Sequence, residues 1–210
     1  MGVGAAELGQ RIISQMVAWA KAGVSAPARL VPSGESFVEW TQYPAVEALD
    51  KSSGWKFYYH AHPRSERLGR EHGHFHIFVP GPHDAHDGVV LFSHLIGISV
   101  DQQGLPLRLF TTNQWVTGES WQPAEALVDV VKSPGFTQTQ PADVAGWLGL
   151  IITLYTAEIC ALLQARDKRL QARALMIRTN PYEDRRLRIP SQRHINLLHR
   201  ISREKAVQAG

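Results

Sequence analysis

The stretch Trp55-Lys56-Phe57-Tyr58-Tyr59-His60-Ala61-His62, with Glu71-His72-Gly73-His74-Phe75-His76-Ile77-Phe78-Val79 a short way on, decides how this chain folds. Side chains alternate faces along a strand, so residue parity sorts each stretch into two sides. In residues 55–62 the odd positions Trp55, Phe57, Tyr59 and Ala61 are all apolar, and the even ones are Lys56, Tyr58, His60 and His62. In residues 71–79 the odd positions after Glu71 are Gly73, Phe75, Ile77 and Val79; the even ones are His72, His74, His76 and Phe78. A hairpin of the two buries a single apolar face only if odd lies opposite odd, because a slip of one residue turns a whole strand over. The register that serves the core therefore gathers His60, His62, His72, His74 and His76 on the opposite surface.

Outward from this hairpin the pattern continues. Leu8, Ile12, Ile13, Met16 and Val17 are spaced as on an amphipathic helix over residues 5–22, ended by Gly23, and the N-terminus lacks a secretory pattern. Pro27, Pro32 and Gly34 mark an irregular connection before a short strand expected over Ser36–Tyr43. Val89–Val100 is apolar on both faces, as in a central strand, and carries His94 on the even parity beside Phe92 and Ile96. Asp101-Gln102-Gln103-Gly104 reads as a turn into a strand over Leu105–Thr112, where Arg108 is again even.

Pro123 then stands where a helix begins, Pro134-Gly135 breaks it, Pro141 opens a long helix to about Leu170, and His194–Val207 reads as a last amphipathic one. Strands first and helices after predict an α+β fold: a mainly antiparallel sheet of about four to six strands in the N-terminal half, followed and covered by helices. One domain is expected over residues 1–210, with an N-terminal helix at 5–22, a sheet region at 36–113 and a helical part at 123–208.

Composition agrees with a globular chain: 44% hydrophobic and 20% charged over 210 residues is enough for a real core. The one cysteine, Cys160, excludes an intrachain disulfide, suits a cytoplasmic setting, and reads as a small buried hydrophobe within an apolar run. That run, Val144–Leu163, is long enough for a membrane span, but Glu158 inside it argues for a core helix and no membrane association. Arg166–Lys205 carries 12 Lys/Arg and 4 Asp/Glu, a net +8 against −5 elsewhere. No aromatic residue beyond Tyr182 interleaves those arginines, so neutralisation of the chain's own acidic part is expected rather than nucleic-acid binding.

Residues two apart on a strand project in parallel, so a His-x-His pair can set two imidazoles on one ion, and a third from the neighbouring strand leaves positions open for a small molecule. His60, His62 and His74 are the first-choice ligands, with His72 or His76 as fourth. Imidazole suits zinc, iron, copper or nickel without choosing among them. Glu66, Glu71, Asp84 and Asp87 are the carboxylates within reach as ligand, hydrogen-bond acceptor or base.

Three resemblances attach to these residues. Gly54-x5-His60-x-His62-x3-Glu66-x6-Gly73 is similar to the first metal-binding motif of cupins, which implies a metal held by histidines and a glutamate; no convincing second cupin motif follows near Pro80-Gly81-Pro82-His83. His72-Gly73-His74-Phe75-His76-Ile77-Phe78 is similar to the histidine-triad signature of nucleotide hydrolases and transferases, which implies His74 as nucleophile. In that metal-free alternative Arg108 would hold the anion, and His74, Glu71 and Arg108 form the catalytic set. Third, the chain from about Trp40 onward resembles an uncharacterised bacterial domain-of-unknown-function family. The resemblance rests on Tyr58-Tyr59-His60-Ala61-His62, Glu71-His72-Gly73-His74-Phe75-His76, Phe110-Thr111-Thr112-Asn113-Gln114-Trp115-Val116-Thr117-Gly118 and a helical C-terminal part with Arg166-Asp167. It implies a shared fold and site and brings no activity with it. Asn113 and Trp115, directly after a strand, are placed to line the mouth of the histidine face or to hold a loop. A histidine-ligated transition-metal-binding protein is the leading expectation, with a metal-dependent enzyme as one form of it; a non-enzymatic module that binds a small molecule or partner is the third.

Overall fold

In the computed structural model, which describes residues 4–83 and 90–208, helix α1 (Ala5–Lys21) precedes five strands: β1 (Tyr43–Leu49), β2 (Lys56–His60), β3 (Gly73–His83), β4 (Val90–Val100) and β5 (Pro106–Thr111). Helices α2 (Gln114–Thr117), α3 (Ala124–Val131), α4 (Ala142–Leu154) and α5 (Thr156–Met176) follow, then strand β6 (Ser191–His194) and helix α6 (Leu197–Gln208). The strands form one sheet in the order β1-β2-β3-β4-β5-β6 with every neighbouring pair antiparallel. The α+β expectation is borne out.

The central hairpin takes the register that parity requires. Phe57 lies opposite Ile77 and Tyr59 opposite Phe75, while Tyr58 faces His76 and His60 faces His74. The four apolar side chains are fully buried, and each contributes roughly 1.5–3 kcal/mol by leaving water. Helix α4 covers their face: Trp147 lies 5.8 Å from Phe75 and 5.7 Å from Trp19 of α1. Ile12, Leu148 and Ile151 complete the contact within one hydrophobic cluster.

Beyond the hairpin, β4 departs from simple alternation. Ile96 pairs with Ile77 and Ile98 with Phe75, on the core side, but Phe78 pairs with His94. Leu95 is thus an extra residue, a β-bulge that reverses which parity faces the core. The expectation that His94 and Ile96 share a side is corrected: His94 is on the histidine side because the bulge puts it there, and Ile96 is in the core. On β5, Arg108 and Phe110 pair with Ser99 and Gly97, which in turn face His74 and His76. Both β5 side chains therefore join the histidine side.

Three further expectations are corrected. Residues 36–42 form no strand; Trp40 has a φ of 64°, a left-handed conformation that bulky residues rarely adopt, and the chain turns there. The edge strand is instead Tyr43–Leu49, whose Val46 is 84% exposed, so no apolar alternation announced it. Second, the helical C-terminal part contains a strand. Ser191–His194 is polar and pairs with β5 through its backbone, Phe110 opposite Gln192, and the helix expected from His194 begins at Leu197.

Third, the long helix from Pro141 is two helices, α4 and α5, bent by 75° at Tyr155. Thr153 donates its hydroxyl to the Gly149 carbonyl, and Thr156 donates to those of Ile152 and Thr153, competing with the helical ladder where the break falls. Among the described residues no single helix is long and apolar enough to cross a membrane. Cys160 is partly buried on α5, and burial pushes its thiol up, away from thiolate chemistry.

A Cβ built on Gly97 would lie 2.3 Å from Cζ of Phe110, so this glycine is what allows the Phe110 ring to cross the sheet toward the histidines. Gly97→Ala is expected to displace that ring and lower stability by about 1–3 kcal/mol, the usual range for an overpacked interior site. Urea denaturation checks this; a midpoint equal to the parent's would mean that Phe110 has room the packing does not show.

Candidate functional site

His60 from β2 and His74 and His76 from β3 each offer one ring nitrogen, all within 4.8 Å of one another, a set that could hold a metal ion. The Nε2 atoms of His60 and His74 are 2.7 Å apart, and His76 has its ring centre 4.9 Å from that of His74. His62 stands beside them, 5.0 Å from His60 and 5.2 Å from His74 by ring centres, with Nδ1 3.2 Å from Oε2 of Glu66.

His72 does not join them. It precedes the first residue of β3, and its Nδ1 lies 2.6 Å from the Tyr59 hydroxyl on the core side, with Phe37 packed at 4.9 Å. Gly73 permits this, since a Cβ there would lie 2.5 Å from the same hydroxyl. The expectation of five histidines on one surface is thereby corrected to His60, His62, His74 and His76, with His94 added by the bulge. Asp84 and Asp87 lie outside the described residues.

Glu71, buried, holds His74 from behind. Its Oε1 is 3.0 Å from Nδ1 of His74, and its Oε2 accepts from Nη2 of Arg108 at 3.0 Å. Burial opposes ionisation of Glu71, but the bond from His74 and the charges of His74 and Arg108 hold its carboxyl below the usual range. An ionised acceptor at Nδ1 calls for a proton there, so Nε2 of His74 keeps its lone pair toward His60. Arg108 also donates to Ser99 Oγ at 3.2 Å and to Gln192 Oε1 at 2.7 Å. Its guanidinium braces Glu71 rather than facing an empty space.

On the far side, Nδ1 of His76 is 2.9 Å from Nε2 of His94, and the His94 backbone N–H donates to the Glu119 carboxylate. Burial pushes Glu119 up to about 8 against that bond and the charge of Arg166. Its Oε1 has no hydrogen-bond partner among the described residues.

Burial is also the first cause that keeps the imidazoles neutral. It lowers His60 to about 3, helped by the charges of His74, His62 and Arg188, and lowers His94 to about 3, helped by Arg166 and His74. His76 is held well below its ordinary value in the same way, and His74 is lowered despite its bond to Glu71. Neutral imidazole is the form that binds a cation.

His60, His62, His74 and His76 floor a pocket of about 330 Å³. Phe110 lies 5.2 Å from His74 and Tyr58 5.1 Å from His76 by ring centres. Trp40, Leu68, Trp115 and Arg188 also line it. The cover is tied down by the stretch after β5. The Asn113 side chain accepts from the Gln114 N–H and donates to the Pro181 carbonyl, and its backbone N–H donates to the Arg188 carbonyl. Trp115 Nε1 donates to the carbonyls of Asp184 and Leu187. Asn113 thus holds a loop, while Trp115 both holds it and lines the mouth. Trp40 packs 4.3 Å from His62. Trp40 and Arg188 escaped the sequence reading, because they arrive from irregular segments with no periodic signal.

A profile described as Domain of unknown function (DUF6969) matches residues 6–195, which include every residue of this pocket. The chain belongs to that family. No curated protein and no solved structure matches it.

The buried imidazoles make stability of the metal-free protein dependent on pH. A histidine lowered from 6.5 to about 3, such as His60 or His94, contributes stability that is full above 6.5 and lost as pH falls from there toward 3. Each such group removes about 1.4 kcal/mol per pH unit in that window. Glu119, raised from 4.5 to about 8, works the other way between those values, and the histidines outnumber it. Urea midpoints of chelator-treated protein are expected to fall steeply from pH 7 to pH 5; a flat profile would contradict a cluster of neutral imidazoles.

Proposed function

We propose that the pocket binds one divalent transition metal ion through His60, His74 and His76, with His62 at its edge, and presents it to a small molecule as a metal-dependent enzyme. The observation that carries this reading is the convergence of three neutral imidazoles at the floor of a lined pocket. An ion about 2.0–2.1 Å from each nitrogen asks for nitrogen separations of roughly 3 Å or slightly more. The 2.7 Å between His60 and His74 and the 4.8 Å span of the set bracket that requirement. The donor set is all imidazole, so zinc, iron, copper and nickel all fit.

When bound, such an ion supplies a Lewis acid that polarises an oxygen or activates water. The chain's own residues do the rest. Glu71 fixes the tautomer of His74, Arg108 fixes Glu71, and Trp40 and Trp115 limit access of water. The metal-free alternative, with His74 as nucleophile and Arg108 holding a phosphate, has less support. Both nitrogens of His74 already face partners, and Arg108 is occupied by Glu71, Ser99 and Gln192.

Elemental analysis of protein purified without a polyhistidine tag is expected to give about one transition-metal ion per chain under the one-ion geometry. His60→Gln/His74→Gln should lose it, with circular dichroism reporting whether that variant is folded. Glu71→Gln, which leaves the buried Arg108 guanidinium without its counter-charge and is checked for folding by circular dichroism, should weaken metal affinity by about 10–100-fold, the usual effect of removing an acceptor behind a ligating histidine. Returning metal to the chelated parent at a hundred times its Kd should add about 2.7 kcal/mol of stability. A folded parent that takes up no metal, or a folded double variant that retains full occupancy, would sink the assignment.

A further inference from the structure

We infer that the ligand of this pocket is a small monocarboxylate with an apolar body, its carboxylate lying between the ion on the histidines and the guanidinium of Arg188. The inference rests on the metal reading above and adds the substrate class. It follows from a charge balance. The three residues that would hold the ion are all histidines, whose imidazoles bring no negative charge as ligands, so the donor set does not offset the charge of the ion. Among the described residues lining the pocket there are two carboxylates, Glu71 and Glu66. Glu71 is spent on Arg108 at 3.0 Å and on His74 at 3.0 Å. Glu66 sits 3.8 Å from Arg188 and 3.2 Å from His62, and is 45% exposed at the rim.

Glu71 is thus matched by Arg108, and Glu66 by Arg188. A divalent ion bound here would leave two uncompensated positive charges in a largely enclosed space, where Coulomb interactions are stronger than in water. A carboxylate ligand offsets one of the two, which a neutral ligand would not.

Arg188 is placed to read that anion. Its guanidinium is half-exposed and reaches Glu66 only at 3.8 Å, and it makes no side-chain hydrogen bond among the described residues. Its nearest aromatic neighbour, Trp115, is 5.8 Å from the ring centre. Arg188 lines the same pocket as His60, His62, His74 and His76. A planar guanidinium with free N–H groups matches a carboxylate better than a lysine would.

The remaining lining describes the rest of the ligand. Tyr58, Phe110, Trp115, Val116 and Ile189 form the walls, and Trp40 and Leu68, 54% and 50% exposed, flank the mouth. Exposed large apolar side chains around a concave opening signal contact with an apolar body. The 330 Å³ volume is near the lower end of the range for ligand sites, about 300–1,000 Å³, and about twice the cavity that holds one benzene, so a ring or alkyl chain with its carboxylate fits inside it.

The test titrates zinc-loaded protein by calorimetry with benzoate, phenylacetate and hexanoate, against benzyl alcohol, hexanol and acetate as controls, with zinc content measured in every sample. The apolar carboxylates are expected to bind at least about tenfold more tightly than the alcohols or acetate. Arg188→Gln should weaken carboxylate binding by roughly 10–100-fold at unchanged zinc content, with alcohol binding unaffected and Arg188→Lys recovering part of the loss. Equal binding of carboxylates and alcohols, equal binding of acetate and benzoate, or an Arg188→Gln variant that matches the parent, each at full zinc occupancy, overturns the inference while the metal reading stands. Folded parent protein that takes up no zinc or other transition metal removes both.

Discussion

Burial of Phe57 and Tyr59 against Ile77 and Phe75 sets the position of everything else in this molecule. The four rings and branched chains stay dry only if odd residues of β2 meet odd residues of β3. A slip of one position would expose them and drive imidazoles into the apolar interior, losing several kcal/mol of hydrophobic burial and adding polar desolvation. The histidine cluster is therefore a consequence of core packing. No interaction among the imidazoles is needed to bring His60 opposite His74.

What the hairpin does not supply comes from two local departures in β4. The extra residue Leu95 turns His94 to the side of His76, and Gly97 leaves room for Phe110 to lie across the sheet. A bulge and a glycine both weaken a strand. Here the bulge sets His94 behind His76, and the glycine lets Phe110 line the pocket. The polar groups so collected are buried, and a buried network is stable only when its members are satisfied. Glu71 meets that condition through His74 and Arg108. Removing Arg108 would leave an uncompensated buried charge, and removing His74 would leave one carboxylate oxygen without its hydrogen bond. The Glu119 carboxyl, with its pKa raised and one oxygen without a hydrogen-bond partner among the described residues, leaves this side of the network open.

The legible and illegible parts of the sequence divide along the same physical line. Alternation in residues 55–62 and 71–79 was readable because one face of each strand is wholly apolar, so the hairpin, its register and the core could be inferred. His72 breaks the alternation because it stands one residue before β3 begins, where its backbone N–H still donates to the Val100 carbonyl but its ring turns to the Tyr59 hydroxyl. The bulge at Leu95 was hidden because β4 is apolar on both faces, which erases parity as a signal. Strands β1 and β6 are edges with few buried side chains, and their backbone pairing leaves little trace in composition. Trp40 and Arg188 reach the pocket from segments whose path is set by tertiary hydrogen bonds, such as those from Asn113 and Trp115. Membership of the DUF6969 family covers all of these elements, so the pocket belongs to the family's domain and not to an appendage.

A pocket assembled in this way carries a tension between stability and use. His60, His74, His76 and His94 stay neutral because burial forbids their charge, and neutral imidazoles brought to within 2.7–2.9 Å of one another gain little beyond shared hydrogen bonds. The same arrangement with a cation at its centre converts those lone pairs from a mild liability into ligands, since whatever binds the folded state alone stabilises it. The core beneath, with Trp147 and the four hairpin residues, is large enough to hold the floor in place without that contribution. The fold can therefore keep its histidines poised before any ligand arrives, which is the condition under which binding free energy goes into affinity and orientation rather than into ordering the chain.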